Sequence, residues 1–136
     1  MKRFLSIIGC IVVLAASSCT KKYITPNPNL TIFRTINPSD WALSSDGTSY
    51  FVSLDAQEIG ADFNHYGGVI VSIYYPGSNP NDEVYEQLPE VYGGTSFSFT
   101  YNPGSLAIYA QQPNGTTPVK PTDVIKAKIV LVASGN

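Results

Sequence analysis

The residues with most scope for chemistry in this 136-residue chain are four acids close together, Asp82, Glu83, Glu86 and Glu90. Two carboxyls held about 5–9.5 Å apart can hydrolyse a glycosidic bond. On one extended strand Glu86 and Glu90 share a face but lie roughly 13 Å apart. They can act as a pair only if Pro89 bends the chain between them. Asn79, Asn81, Asp82 and Glu83 offer oxygen ligands of the kind a Ca²⁺ ion takes. Their spacing is not that of an EF-hand loop, and Pro80 interrupts it. A solvated acidic loop is the simpler reading, and no metal or cofactor is expected. His65 is the single histidine. To act as a general base it would need a nucleophile and an orienting acid beside it. No serine lies in a Gly-x-Ser-x-Gly elbow, and a histidine before Gly67-Gly68 suits a helix C-terminus on charge alone. An enzyme is therefore not expected; the alternative is a glycan-active, hydrolase-like use of the acids from Asp82 to Glu90.

Tyrosine is abundant, with nine in the chain. Tyr50, Tyr74, Tyr75, Tyr85, Tyr92, Tyr101 and Tyr109 fall on or beside strand-like segments, where aromatics are favoured in any case. Their rings also make good contact surfaces for proteins and sugars. Tyr85 and Tyr92 flank the acids near turns and form a tentative contact patch for a protein or glycan partner.

Short strands separated by turn residues must position these groups. Leu30–Ile36 alternates, and Asn37-Pro38-Ser39-Asp40 breaks it. Trp41–Ser45 and Thr48–Asp55 flank Asp46-Gly47, a hairpin signal whose type I′ turn needs positive φ at both residues. Asp55 with Glu58 resembles a capping box, and Ile59 and Phe63 are spaced i, i+4. Together they predict one helix within Asp55–Tyr66, stopped by a left-handed Gly67-Gly68. Val69–Tyr75 is apolar enough for a strand covered on both faces. Val84–Leu88 follows the loop Pro76–Glu83, and a Gly93-Gly94 turn comes next. Ser96–Tyr101 puts Phe97, Phe99 and Tyr101 on one face. Asn102-Pro103-Gly104-Ser105 is a tight turn into Leu106–Gln111. After the proline-bearing loop Gln112–Pro121 comes a last strand, Val124–Ala133. Phe97, Phe99, Leu106, Ile108, Ile129 and Leu131 are the expected core. About eight strands at this spacing predict a mainly β fold, an antiparallel immunoglobulin-like β-sandwich with one short helix. A small closed barrel is the alternative.

The first residues read as an address. Lys2-Arg3, an apolar run from Phe4 to Ala16 and the small Ala15-Ala16-Ser17-Ser18 match a secretory signal. A spanning helix needs about 20 apolar residues, and this run ends sooner. Cys10 would leave too short an apolar core before it, so Cys19 is the cysteine to consider. Residues 1–18 are then signal, 19–29 a polar tether with Pro26 and Pro28, and 30–136 one domain. Loss of Lys2 and Arg3 takes the formal charge from −2 to about −4. With no basic stretch beyond Lys21-Lys22, a nucleic-acid partner is excluded. Both cysteines lie in the first twenty residues, so no disulfide can staple the body of the chain.

Ala15-Ala16-Ser17-Ser18-Cys19 resembles the lipobox of bacterial lipoproteins, with Ala16 where that family usually has Leu. The body resembles a group of small exported proteins of Bacteroidota, many of them lipoproteins. That resemblance rests on Trp41, Gly67-Gly68-Val69-Ile70-Val71, Tyr85-Glu86-Gln87-Leu88-Pro89 and Lys128-Ile129-Val130-Leu131-Val132, and spans roughly residues 30–133. It implies diacylglycerol on the Cys19 sulfur and a further acyl chain, such as palmitate, on its amine. It also implies an envelope lipoprotein held at the outer membrane, and no particular activity. Thr20, in place of an Asp that retains some lipoproteins at the inner membrane, fits the outer membrane. Lys21-Lys22 stand where surface-exported relatives carry acids, which favours the periplasmic face while leaving the surface open.

Overall fold

The computed structural model describes residues 29–76 and 81–134. Along them run β1 (Leu30–Ile36), a 3-10 turn (Pro38–Asp40), β2 (Ala42–Leu43), β3 (Ser49–Ala56) and α1 (Ala61–Tyr66). β4 (Gly68–Tyr74), β5 (Glu86–Gln87), β6 (Glu90–Tyr92), β7 (Thr95–Asn102), β8 (Gly104–Gln111) and β9 (Ile125–Val132) follow. The strands form two antiparallel sheets, ordered β1-β9-β4-β5 and β2-β3-β8-β7-β6. The sandwich expected from the turn spacing is the observed architecture. The sheets do not close into a barrel.

Period-two burial builds the core. In β9, Ile125, Ala127, Ile129 and Leu131 are buried and the residues between them are not. Leu106, Ile108 and Ala110 of β8 and Val52 and Leu54 of β3 supply the opposing layer. Each fully buried large side chain contributes about 1.5–3 kcal/mol, and a one-residue slip would turn a whole set outward. Of the six expected core residues, five are buried. Phe99 instead sits half-buried at the margin, its ring nearly parallel to Tyr101 at 6.4 Å.

Val71, Ser72, Ile73 and Tyr74 are buried in succession, as the apolar run predicts. The opposite sheet covers only Val71 and Ile73. Tyr85, on the link into β5, lies over the outer face with its ring 5.7 Å from that of Tyr74. A stretch of loop thus acts as a local third layer.

Several expectations are corrected. No helix starts at Asp55, because Asp55 and Ala56 continue the β3 ladder opposite Ser105 and Gly104. The Asp55 carboxylate accepts from Gln57 Nε2 at 2.6 Å, and no capping box forms. Extension of an established register outweighs a local cap. The helix is only Ala61–Tyr66, and Ile59 plugs the core ahead of it. Gly67 is extended at φ −84°, not left-handed. Its missing side chain matters for another reason: a Cβ there would lie 2.5 Å from the Phe63 ring.

The Asp46-Gly47 hairpin exists, but only Gly47 has positive φ, so its turn is not type I′. The Asp46 carboxylate organises the wider loop, accepting from Ser44 Oγ (2.6 Å), Thr48 Oγ1 (2.8 Å) and the Thr48 amide (3.1 Å). These donors hold its pKa below the ordinary value, the Ser44 hydroxyl most of all. The turn with positive φ at both central residues is Gly93-Gly94, between paired Tyr92 and Thr95.

Phe97 is 3% exposed and meets Trp41 edge-on at 6.2 Å. Phe97→Ala should cost about 3–5 kcal/mol of unfolding free energy. Phe99→Ala should cost distinctly less, a ranking that urea denaturation of both variants checks.

Candidate functional site

Between β5 and β6 the chain passes from one sheet to the other in two residues. Leu88 is buried and its amide donates to the Val71 carbonyl at 2.8 Å. The Leu88–Pro89 peptide bond is cis. Glu86 pairs with Ile73 and Glu90 with Phe97, both inward-facing positions, so each glutamate lies on the inner side of its strand. Neither sits on the single extended strand that would separate them by roughly 13 Å. The crossing at Pro89 turns them towards each other, and their side chains hydrogen-bond. Carboxyls in contact leave no space between them for a sugar linkage, which needs at least about 5 Å.

Tyr75 Oη donates to Glu90 Oε1 at 3.2 Å. Burial, then the hydrogen bond and charge of Glu86, push the Glu90 carboxyl up to about 7, with Tyr75 pulling the other way. Burial, and then the charge of Glu90, raise the Tyr75 phenol well above its ordinary value. Near neutral pH Glu90 is partly protonated, which relieves its repulsion by Glu86.

Beside this corner lies a groove of about 210 Å³. Tyr75, Phe97 and Ile125 line it from the core side, Tyr92, Gly93 and Thr95 from the β6–β7 hairpin, and 119–123 from the loop before β9. The Tyr75 and Tyr92 rings stack at 3.9 Å and 12°, and Phe97 meets Tyr75 at a steep angle, 6.1 Å away. Lys120, Thr122 and Asp123 add donors and acceptors to the rim. Neither Glu86 nor Glu90 is among the lining residues.

Tyr85 and Tyr92 do not form one patch. Tyr85 stands over the outer face of the other sheet, with Lys128 Nζ 4.1 Å from its ring centre. It shares a hollow of about 320 Å³ with Phe33, Arg34, Thr35, Glu83 and Lys126. Lys126 and Glu83 form an ion pair across it at 3.3 Å. Burial and the Glu83 charge raise the Tyr85 phenol. Tyr85 is a roof residue, whereas Tyr92 belongs to a groove.

His65 is exposed in the last turn of α1, edge-on to Tyr66 at 4.5 Å. Of the acidic-loop ligands, Asn79 lies outside the described residues. Among the described residues no group of three or more His, Cys, Asp or Glu is placed to hold a metal ion. Cys10 and Cys19 also lie outside them. Sequence reasoning missed Tyr75 and Phe97 as partners of Tyr92. It also missed Lys120, Thr122 and Asp123, which sit in a loop without periodicity.

Glu90 binds its proton more tightly in the folded chain, near 7 against an ordinary 4.5. Its stabilising contribution is therefore complete below about pH 4.5 and is lost as pH rises to about 7. Partial exposure keeps the loss well under the full linkage value. Urea midpoints of the parent should fall between pH 4.5 and 7, and Glu90→Gln should flatten that fall. Comparison with family models, with curated proteins and with solved structures found no match, so a functional reading rests on the geometry of this site.

Proposed function

We propose that this chain is a lipid-anchored envelope protein that acts by binding rather than catalysis. Its ligand is a glycan, one pyranose ring of which lies in the groove against Tyr92. The observation that carries this reading is the stacked Tyr75–Tyr92 pair beside a rim of mixed polarity. Tyr92 remains 46% exposed, and its ring is fixed in place by stacking, so little order is lost when a ligand docks. A volume of about 210 Å³ falls below that of drug-sized pockets and suits one ring. Thr95, Thr122, Lys120 and Asp123 offer hydroxyl, cation and carboxylate partners to ring hydroxyls. The hydrolase alternative is disfavoured, because the two glutamates engage each other and stand outside the groove.

Anchoring rests on Cys19 and its small-residue approach. Among the described residues no helix is long and apolar enough to cross a membrane. Two or more acyl chains on Cys19 would hold the chain firmly to the outer membrane.

Titration with the N-acetylglucosamine tetramer and with maltotetraose, followed by amide NMR shifts, tests the groove. At least one sugar should move Tyr92, Gly93, Thr95 and Thr122. Tyr92→Ala should weaken binding tenfold or more, about 1.4 kcal/mol, while Glu86→Gln binds as the parent does. No shift at the groove with either sugar overturns the glycan reading. Mass spectrometry of the mature N-terminus should find acyl mass on Cys19, and Cys19→Ala should release the chain from membranes. An unmodified Cys19 would leave an ordinary secreted domain.

A further inference from the structure

The first sheet ends on one side in β1, a seven-residue strand paired only with β9. The other edge strands, β2, β5 and β6, have two or three residues each. Natural sheet edges are commonly blunted by shortness, Pro, Lys, a bulge or an inward charge. β1 carries no Pro and no Lys, and its register against β9 runs unbroken from Leu30 to Ile36. Of these devices it has one: Arg34 lies on the inner side of the strand between buried Ile32 and Ile36. It donates to the Asp55 carbonyl at 3.3 Å and to the Phe33 carbonyl at 3.1 Å, which leaves the outer face without charge.

The outer face of β1 reads Thr31, Phe33, Thr35, which is the same in either direction. All three residues are exposed, Phe33 at 60%. We propose that β1 is a self-association edge, pairing antiparallel with β1 of a second copy about a two-fold axis at Phe33. In that register Phe33 faces its own copy, and each Thr31 faces a Thr35. Aromatic–aromatic and Thr–Thr pairs are both favourable cross-strand combinations. Arg34 falls opposite Ile32, so no like charges meet directly. The interface is isologous and closes, because pairing uses up both free β1 edges. The two four-stranded sheets become one sheet of eight strands. This inference is independent of the groove, which is built on the other edge.

Site-directed disulfide trapping tests it on the full chain, with the parent, which keeps Cys10 and Cys19, setting the background. Under copper-phenanthroline, Phe33→Cys should give a covalent dimer well above background. Thr31→Cys alone and Thr35→Cys alone should not, whereas a mixture of these two chains should. In sedimentation, Phe33→Asp should convert dimer to monomer while circular dichroism still shows a folded β chain, since this side chain is 60% exposed and its ring lies beside that of Tyr85 at 6.4 Å. A parent that sediments as monomer at hundreds of micromolar would overturn the proposal. So would cross-linking at all positions alike.

Discussion

The short crossing at Leu88 is the constraint on which the candidate site and the corner around it depend. One buried side chain and one hydrogen bond, from its amide to the Val71 carbonyl, tie the edge of one sheet to the edge of the other. Two flanking residues on each side then have no choice of direction. Glu86 and Glu90 turn in towards each other, and Tyr75 finds Glu90 within hydrogen-bond reach. Tyr92, two residues further on, arrives at stacking distance from Tyr75. The groove is a by-product of that corner, bounded on its far side by the loop before β9.

How much of this was legible in the sequence depends on the range of the interaction. Where one face is buried, alternation is an unambiguous signal, and β8 and β9 declare their inward residues directly. In β7 only Phe97 of the three aromatics on the expected face is fully buried. The helix was misread because Asp55, Glu58, Ile59 and Phe63 satisfy a local pattern, while the non-local pairing of Asp55 with Ser105 leaves no trace nearby. The same limit explains the turn at Asp46-Gly47. Aspartate there is chosen for its carboxylate, which gathers three donors, and not for a left-handed backbone.

The site was legible only in part. Tyr92 was singled out, and Pro89 was recognised as the residue that would have to bend the chain. What joined them to Tyr75 and Phe97 was the switch between sheets, a three-dimensional fact with no sequence period. Tyr85 resembles Tyr92 in sequence, with acids nearby and a turn beside it. In space it lies over Tyr74, flanked by Lys128. Composition cannot separate a ring that covers a sheet from a ring that lines a groove.

The order of strands in the first sheet has a further consequence. β9, the last strand in the chain, lies between β1, the first, and β4. The Ala133 amide reaches Asn29 Oδ1 across 104 residues. Neither β1 nor β4 can satisfy its shared flank until almost the whole polypeptide is available. Such high contact order slows folding to milliseconds or seconds. The first sheet therefore cannot close on a growing chain, and its exposed flanks stay unpaired until the last strand has been made.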